Sequence, residues 1–340
     1  MPFFVSIQSN PADPPILAMG CAPSDCCGPN PISPYVKYAT NKSKCPLQTV
    51  NFAGIAELIK SGMCENIVWL SGAGISCSAG IPDFRTPGTG LYSNLQKYNL
   101  PEPEAMFDLD FFRSNPEPFY DLARVLYPGY YSPTLTHFFI LLLHRKKKLL
   151  RTYTQNIDML ERVAGIPSHK IVEAHGTWSQ ASCIDCWEPE DGNWVRTRIK
   201  KKLSCNCRHC GGNLKPNIVF FGEPVSMDLE RQALADLRKA DLLIVAGTSL
   251  QVQPFCKLIE MVEPYVPRVL FNLDPVGVRG EFIGDGGFLF GHPKNYRDVC
   301  VLGEVDLIVT KFAKMLGWVK DLQRLVKDHK APEMGRLFSP

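Results

Sequence analysis

The 340-residue sequence lacks an apolar run of membrane-spanning length and a strong excess of either charge. The longest apolar run, FFILLL at 138–143, ends at His144 and a basic run, whereas a membrane helix needs about 20 apolar residues. The formal net charge is only +3, so the composition gives no reason to expect binding to nucleic acid or to a membrane surface. The hydrophobic content of 45% and the charged content of 21% are instead typical of a soluble globular protein.

A secretory signal is also absent, because no charged region followed by an apolar one stands at the N-terminus. The thirteen cysteines therefore indicate reduced thiols and a metal site rather than a disulfide framework. Residues 1–46 are rich in Pro, Ser, Asn and Cys without periodicity, and they are predicted to form a disordered tail. No Lys or Arg precedes Lys37, which argues against a mitochondrial presequence. We expect a cytoplasmic location, with nuclear import also open.

The tail contains one motif that depends on where translation starts. MGCAPS at 19–24 would match an N-myristoylation signal with an adjacent acylable cysteine, but only if translation began at Met19. As numbered, Gly20 is internal and the motif is silent. A membrane is therefore expected as a partner only if this tail is acylated.

Five short apolar segments, each ending in small or polar residues, indicate the strands of one sheet. They are NIVWLSGAGIS, LLRTYTQN, KIVEAHG, DLLIVAGTS and RVLFNLD. Near-continuous apolar strands with helix-like stretches between them are typical of a parallel sheet covered on both faces, so the fold class is α/β. Ligands bind at the carboxyl ends of such strands, which predicts one crevice built from five separated pieces. Before the first strand, Val50, Ile55, Leu58 and Ile59 have helical spacing, and Gly62 is predicted to end that helix.

The segment SGAGISCSAGIPDFR at 71–85 begins as a nucleotide-binding loop does. A strand runs into Gly72 and Gly74, at positions where backbone must approach phosphate closely. The full dinucleotide fingerprint is not present, because Cys77 stands where the third glycine belongs and no lone acid follows about twenty residues on. Two glycines alone also fit a plain tight turn, whereas the Pro-Asp-Phe-Arg ending is far more specific.

Two stretches, 85–133 and 176–226, interrupt the strand–helix alternation and are predicted to be insertions that fold together as a smaller module. The second contains two C-x2-C pairs separated by twenty residues, which predicts four thiolates around one structural zinc with no open position for catalysis. Cys205 competes with Cys207 for the third position, and Cys207 is preferred because it restores the two-residue gap. A zinc ribbon that reads nucleic acid is the rival interpretation, supported by RTRIKKK at 196–202. Such a run is more often a solvated helix, and no aromatic platform accompanies it.

Polar residues also follow the other predicted strands. Gln155, Asn156 and Asp158 come together after one strand, and His175 follows the next. A histidine at such a strand end can serve as a base with a near-neutral pKa, or it can be structural. Its position alone does not decide between these two roles.

Taken together, these strings resemble the sirtuin family of NAD-dependent protein deacylases. The matching strings occur in the family's order between about residues 48 and 325 and include GAGIS-x-SAGIPDFR, TQNIDMLERVAG, EAHGTW, the cysteine quartet, LKPNIVFFGE, GTSLQVQPF and RVLFNLD. The strings KYNLPEPEAMF and YRDVCVLGEVD lean towards the cytosolic branch that acts on tubulin and histones, although the mitochondrial branch shares much of them.

The resemblance implies a Rossmann-like NAD-binding domain with a smaller inserted domain, made of a helical module and a zinc module. NAD and an extended acyl-lysine peptide would bind between the two domains. The bounds implied for the large domain are 47–77, 134–174 and 227–330. Those for the small domain are 78–133 and 175–226, and residues 331–340 would form a flexible tail.

The resemblance also implies roles for individual residues. His175 and Asn156 would be catalytic, and Val219 and Phe220 would form a strand that pairs with the substrate backbone. The zinc ligands would be Cys183, Cys186, Cys207 and Cys210. The cofactor contacts would be Gly72, Ala73, Gly74, Ile75, Ser76, Cys77, Asp83, Phe84, Arg85, Tyr92, Gln155, Asn156, Ile157, Asp158, His175, Gly247, Thr248, Ser249, Asn272, Leu273, Asp274 and Val305.

The implied reaction is NAD-dependent deacylation of lysine, in which His175 takes the proton of a ribose hydroxyl. Its products would be deacylated lysine, nicotinamide and O-acyl-ADP-ribose, with zinc outside the reaction. Acetyl-lysine in proteins, histones and tubulin among them, is the expected substrate, nucleic acid is not an expected partner, and a monomer is expected. A mono-ADP-ribosyltransferase and a catalytically silent NAD- and zinc-binding module are the alternatives.

The sequence departs from the family pattern at four positions but keeps the catalytic set. The departures are Cys77 for a common Thr, Asn217 for a frequent Asp, Asp274 for the usual Glu and Val305 for a frequent Cys. Because Asn156, Asp158 and His175 are all retained, we expect an active enzyme.

Overall fold

The computed structural model of the chain describes residues 41–81, 100–127, 131–223, 227–280 and 286–329. A six-stranded sheet forms its centre. Its strands are β1 (Ile67–Ser71), β2 (Leu149–Thr154), β3 (Ile171–Glu173), β7 (Leu242–Ala246), β8 (Arg268–Asn272) and β9 (Asp298–Leu302). They lie in the order β3-β2-β1-β7-β8-β9, and every neighbouring pair is parallel.

The strand order changes direction at β1, which makes the β1–β7 boundary the place where the sheet opens to a ligand. From β1 the chain goes to β2 and β3 on one side and later returns to β7, β8 and β9 on the other. Ser71, the last residue of β1, lies opposite Thr154 of β2 and Ala246 of β7. The segments that follow these strands therefore emerge side by side, as expected at a topological switch point.

Helices cover both faces of the sheet, and alternate strand residues point to opposite sides. Ile67 and Trp69 belong to one core, whereas Val68 and Leu70 belong to the other. The α/β fold class with a Rossmann-like sheet is therefore confirmed. The helices are α1 (Phe52–Lys60), α2 (Leu109–Ser114), α3 (Glu117–Leu126), α4 (Leu135–Arg145), α5 (Leu160–Ala164), α6 (Gly192–Lys200), α7 (Met227–Leu237), α8 (Val305–Leu316) and α9 (Val319–Asp328).

The predicted first helix is present, but it begins later than the apolar spacing suggested. Asn51 caps α1 by accepting a hydrogen bond from the Gly54 N–H at 2.8 Å, an N-cap arrangement that Asn favours. Val50 therefore lies outside the helix and is 41% exposed, so its inclusion in the helical pattern was wrong. Gly62 follows the C-cap with φ +83°, in agreement with its predicted role.

The apolar run at 138–143 is an interior helix segment. It lies within α4, and all six of its residues are buried in one core cluster. Among the described residues, no helix combines the length and the apolar character needed to cross a membrane.

The edge strand β9 was not among the five strands predicted from the sequence. It spans Asp298–Leu302 and pairs with β8 over its whole length. Its burial is mixed, with two buried residues, two partly buried ones and an exposed Leu302, because an edge strand is covered less fully than a central one. A short strand of this kind gives a weak apolar signal.

The two predicted insertions share one core. The strands β4 (Gly176–Cys183), β5 (Pro189–Asp191) and β6 (Leu214–Ile218) form a three-stranded antiparallel sheet in the order β5-β4-β6. Phe119 of α3 lies 4.9 Å from the Phe220 ring and stacks on Trp178 of β4 at 6.2 Å between centroids. The helical stretch and the cysteine-rich stretch thus pack together as the smaller inserted domain.

Candidate active site and zinc site

Three glycines allow the turn after β1 to touch the turn after β7. The Gly74 N–H donates to the Gly247 carbonyl at 2.8 Å. A Cβ on Gly74 would lie 2.7 Å from Gly247 Cα, and one on Gly72 would lie 2.7 Å from Thr248 Cβ. Gly247 has φ +59° and no room for a side chain beside Ile75 N, at 2.6 Å. The two turns at the switch point therefore need glycine for contact with each other, a reason that the sequence pattern did not reveal.

Gln155 joins the ends of three strands. Its N–H donates to the Ser71 carbonyl at 3.0 Å, and its side-chain Nε2 donates to Thr248 Oγ1 at 3.0 Å. The same Thr248 oxygen accepts from the Leu250 N–H at 3.1 Å. The residues after β1, β2 and β7 are thus joined by hydrogen bonds at the carboxyl ends of the strands, where the crevice was predicted.

Asn156 is held by both hydrogens of its amide. It is 6% exposed, and its Nδ2 donates to the Gly72 carbonyl at 3.1 Å and to Ser76 Oγ at 3.2 Å. The carbonyl can only accept, which fixes the orientation of the amide. None of the described residues donates to the side-chain oxygen Oδ1, which is therefore available as an acceptor for another molecule.

Asp158 ends this chain of hydrogen bonds. Because Ser76 Oγ accepts from Asn156, its single hydrogen donates to Asp158 Oδ2 at 2.6 Å. The other carboxylate oxygen, Oδ1, accepts from the Leu160 N–H at 2.9 Å. An amide, a hydroxyl and a carboxylate therefore form a directed sequence, Asn156 to Ser76 to Asp158.

His175 is placed at the same edge by a hydrogen bond to the backbone. Its Nδ1 lies 3.0 Å from the Gln155 carbonyl oxygen, which can only accept, so Nδ1 carries the hydrogen and Nε2 has a free lone pair. Burial is the main cause that lowers the pKa of His175, so the ring is neutral at pH 7. A neutral, oriented imidazole with a free Nε2 is what a general base requires.

The segment after β6 connects the site to the smaller domain. The Val219 N–H donates to the His175 carbonyl at 2.9 Å, and the Phe221 N–H donates to the Phe107 carbonyl at 2.7 Å. The Phe220 N–H donates to Glu223 Oε2 at 2.7 Å, and the Phe220 ring is buried in the core of the smaller domain. These three N–H groups are already engaged, so pairing with a substrate backbone through them would require these bonds to change.

A buried ion pair missed by the sequence analysis supports this segment. Lys215 Nζ lies 3.0 Å from Glu223 Oε2 and donates to the Ile218 carbonyl at 2.6 Å. Burial lowers the pKa of Lys215, while the charge of Glu223 acts in the opposite direction. The lysine inside the strand sequence LKPNI was the available signal.

The predicted adenosine-side residues lie at the ends of β7, β8 and β9. Asn272 Nδ2 donates to the Asp274 carbonyl at 2.9 Å, and Leu273 is 65% exposed. Ser249 is exposed beyond β7, and Val305 is the buried first residue of α8. All of these residues therefore lie at the carboxyl-terminal end of the sheet, where Gln155 also lies.

Some of the remaining predicted cofactor residues lie within the described ranges, and the others lie outside them. Ala73 and Ile157 are partly buried, and Ile75 is buried. Cys77 is exposed, with Sγ 3.5 Å from the Ala73 carbonyl oxygen. Four predicted residues lie outside the described ranges, namely Asp83, Phe84, Arg85 and Tyr92.

Asp306 is a second site residue that the sequence analysis missed. Its Oδ2 accepts from Ser78 Oγ at 2.7 Å, and its Oδ1 accepts from the Thr136 N–H at 2.9 Å. It thereby fastens the glycine turn to the start of α4 from the first turn of α8. The acid next to Val305 was a visible signal, but only the packing of α8 shows what it contacts.

The four predicted zinc ligands come together. Their sulfur atoms all lie within 4.8 Å of one another, with Cys183 and Cys210 at 3.4 Å and Cys186 and Cys207 at 3.7 Å. Tetrahedral zinc with Zn–S bonds of about 2.3 Å places its sulfur ligands about 3.8 Å apart. Three of the sulfurs also accept a backbone N–H at 3.4 Å, which suits thiolates; these are Cys183, Cys207 and Cys210. The cluster therefore fits one structural zinc ion.

Cys205 takes no part in this cluster. It is 4% exposed and belongs to the core of the smaller domain, with Sγ 4.0 Å from the Val195 carbonyl oxygen. The two-residue spacing thus selected the correct partner for Cys210.

The basic run is largely a helix of the smaller domain. Val195 and Ile199 of α6 are buried in the core, and the guanidinium groups of Arg198 and Arg208 each lie 4.8 Å from the centroid of the Trp194 ring. Arginine therefore already occupies the stacking position on this ring that a base would need in a nucleic-acid reader.

Known proteins match most of the chain. Residues 72–254 match the Sir2 family. NAD-dependent protein deacetylase sirtuin-2 of Danio rerio is 47% identical over 287 residues, which are 83% of this chain and 76% of that protein. NAD-dependent protein deacetylase hst2 of Schizosaccharomyces pombe is 45% identical, with 80% and 78% covered. NAD-dependent protein deacetylase sirtuin-3 of Mus musculus is 46% identical, with the same coverages.

These matches agree with the site geometry and with the resemblance predicted from the sequence. The family match begins at the glycine turn and ends just before Phe255, so it includes the hydrogen-bonded edge, His175 and the cysteine cluster. The names sirtuin-2 and hst2 also agree with the predicted branch. The chain belongs to the Sir2 family.

Proposed function

We propose that the protein is an NAD-dependent protein lysine deacetylase that transfers the acyl group from lysine to ADP-ribose and releases nicotinamide. The observation that carries this proposal is the hydrogen bond between His175 Nδ1 and the Gln155 carbonyl, at 3.0 Å. It joins a general base to the polar edge at the switch point of a dinucleotide-type sheet. The names of the three relatives, all NAD-dependent protein deacetylases, support the same reaction.

The chemistry of the strand-end residues fits NAD. Asn156 Oδ1 is left as an acceptor for a ribose hydroxyl, and the exposed Gly74 and Ser249 provide a polar surface that extends along the edge. Ala73, Gln155 and Asp158 would complete the nicotinamide side, and Asn272, Asp274 and Val305 the adenosine side. When bound, NAD supplies a ribose carbon that becomes electrophilic as nicotinamide leaves.

The protein's own contribution is orientation and proton transfer. Asn156, fixed by two donated hydrogen bonds, would hold a ribose hydroxyl through Oδ1. His175 would take the proton from a ribose hydroxyl through Nε2, because Nδ1 is already committed to Gln155. Correct placement of two reacting groups can lower the activation free energy by about 7–11 kcal/mol. Orientation of the reacting groups is therefore the main contribution of such a site to catalysis.

Zinc would act only on structure. Four thiolates fill a tetrahedral site and leave no position for water or substrate. The cysteines belong to the turns around β4 and β6, and β6 leads into the segment that contacts His175. The ion would therefore hold the smaller domain in the shape that supports the site.

The decisive experiment compares wild type, His175→Ala and His169→Ala on an acetyl-lysine peptide with and without NAD. His169 is an exposed histidine two residues before β3 and serves as the matched control. We expect deacetylation that needs NAD, persists in His169→Ala, and falls by about 10²–10⁴ in His175→Ala because the general base is lost. Peptide mass and released nicotinamide are the readouts.

Other outcomes of this experiment would support the alternative functions. Nicotinamide release with the acetyl group untouched would favour ADP-ribosyl transfer or a longer acyl substrate, and parallel assays with fatty acyl peptides would separate these two. NAD binding without turnover of any peptide would favour the silent module. An equal rate for His175→Ala and wild type would contradict the role of His175.

The biological setting is part of the same proposal. Acetylated histones and tubulin would be substrates, the protein would be monomeric, and it would be cytoplasmic with access to the nucleus. These statements rest on the branch resemblance of the sequence. Fractionation of cells expressing the tagged chain, and light scattering of the purified protein, would test location and oligomeric state.

A further inference from the structure

The ammonium group of Lys215 is buried and donates all three of its hydrogens to one short stretch of chain. Lys215 is 5% exposed, and its Nζ lies 2.6 Å from the Ile218 carbonyl oxygen and 3.2 Å from that of Pro216. The third acceptor is Glu223 Oε2, at 3.0 Å. Because an ammonium has three hydrogens and no lone pair, these acceptors use every donor. The chain from 215 to 223 therefore folds around one buried charge.

Glu223 binds the same stretch from its other end. Its Oε2 accepts from the Phe220 N–H at 2.7 Å as well as from Lys215. The Glu223 N–H in turn donates to the Phe220 carbonyl at 3.0 Å, which closes a turn over 220–223. Phe220 also places its ring centroid 4.4 Å from Lys215 Nζ. The two charged side chains thus hold the beginning and the end of this stretch.

Val219 lies between the two peptide groups that this ion pair holds. The peptide group before it is held through the Ile218 carbonyl, which accepts from Lys215. The peptide group after it is held through the Phe220 N–H, which donates to Glu223. Each peptide group is a rigid plane, so only φ and ψ of Val219 can change between them. The ion pair therefore restricts the backbone of Val219 from both sides.

Val219 is also the residue of this stretch that contacts His175. Its N–H belongs to the peptide group held by Lys215 and donates to the His175 carbonyl at 2.9 Å. The His175 ring is bound separately, through Nδ1 to the Gln155 carbonyl. His175 is therefore held at two points, its backbone by the smaller domain and its ring by the segment after β2.

Stability alone gives a poor account of this ion pair. Removing two charges from water is costly, and apolar side chains of similar volume often fill such a space with equal or better stability. A charged pair does supply directional hydrogen bonds, which apolar packing cannot. The directions at Ile218 and Phe220 are those that orient Val219.

We propose that Lys215 and Glu223 are positioning residues, an ion pair that fixes the two peptide groups around Val219 and thereby the backbone of His175. Both act through Val219 rather than by contact with reacting groups. The catalytic consequence rests on the function proposed above. In that reaction Nε2 of His175 has to meet a ribose hydroxyl, and a displacement of about 1 Å can lower the rate about 10²-fold.

The first test measures kcat and NAD affinity separately. Lys215→Met removes the ammonium but leaves the charge of Glu223 buried, so the double variant Lys215→Met/Glu223→Gln is made beside it. The double variant has no buried charge and keeps an acceptor for the Phe220 N–H. In both, we expect kcat on the acetyl-lysine peptide to fall by about 10–100-fold. The Kd for NAD should stay within about twofold of wild type, because the strand-end residues after β1, β2 and β7 are unchanged.

The control for this test is a second ion pair in the smaller domain. Glu190 is paired with Arg208, and its side chain is 12% exposed, against 11% for Glu223. Glu190→Ala should lower thermal stability and leave kcat within about twofold of wild type. Zinc content and thermal unfolding are measured for every variant, so that kcat is compared between folded, zinc-loaded proteins.

The second test needs no activity. Hydrogen exchange of backbone amides, followed by NMR, reports how firmly each N–H is held. We expect the Val219 N–H to exchange at least about tenfold faster in Lys215→Met and in the double variant than in wild type. In Glu190→Ala its exchange should be unchanged.

Three results would overturn the proposal. Wild-type kcat in the folded double variant would show that the ion pair does not position His175. Unchanged exchange of the Val219 N–H would show that the pair does not hold this peptide group. Loss of zinc by the double variant would show that the pair serves folding of the domain. The exchange result stands even if no acyl peptide is turned over by wild type, so this proposal and the proposed function fail separately.

Discussion

The zinc cluster and the candidate active site are built in opposite ways. The zinc cluster takes four identical ligands from two short turns, and each pair is separated by two residues. The active site takes different side chains from the ends of β1, β2, β3 and β7, which are far apart in the chain. Local spacing therefore specifies the first site, whereas the sheet topology has to assemble the second.

The largest effect is expected from a substitution in the zinc cluster, which local spacing specifies. Cys207→Ser should abolish zinc binding and, with it, the folded smaller domain and all activity, because binding of a structural zinc contributes about 10–16 kcal/mol. Cys205→Ser is the matched control two residues away, since Cys205 lies in the core outside the cluster. It should retain zinc and lose only about 1–3 kcal/mol of unfolding free energy. Zinc content by mass spectrometry and thermal unfolding are the measurements, and equal zinc loss in both variants would contradict the assignment.

A smaller effect is expected from a substitution in the candidate active site, which the sheet topology assembles. Gly247→Ala would place a Cβ 2.6 Å from Ile75 N at φ +59°, so the two turns must separate. We expect a loss of about 2–4 kcal/mol in unfolding free energy together with weaker NAD binding. Gly62→Ala has a similar φ of +83° but open space around it, and it should cost only about 1 kcal/mol. Chemical denaturation and calorimetric titration with NAD distinguish the two, and equal effects would show that contact between the turns is unimportant.

The smallest effect concerns pH. Because burial lowers the pKa of His175 below its usual 6.5, the neutral base should persist below that pH. We expect kcat/KM for the acetyl peptide to stay level through about pH 6.5 and to fall only near and below the lowered pKa of His175, by up to about tenfold per pH unit. A pH profile at saturating NAD checks this, with intrinsic fluorescence as a control for unfolding. An acid limb centred above pH 7 would contradict the burial argument.

Predictions from the sequence were correct where a feature depends on residues that are close together along the chain. The central strands, the cysteine pairs and the helix before β1 all have local patterns, and each is present in the structure. The edge strand β9 was missed because partial exposure weakens its apolar signal. Lys215, Glu223 and Asp306 were missed because each contacts residues that lie in other elements of the fold.

The sequence by itself determined the α/β class, the zinc ligands and the strand-end residues available for catalysis. The tertiary structure decided how these residues act: Nδ1 of His175 donates to Gln155, Asn156 is held through both amide hydrogens, and the glycines serve turn-to-turn contact. It also paired Lys215 with Glu223 around the segment that contacts His175. The physical reason is that apolar periodicity and ligand spacing are properties of a segment. Hydrogen-bond direction, tautomer and protonation depend on partners that only folding brings within reach.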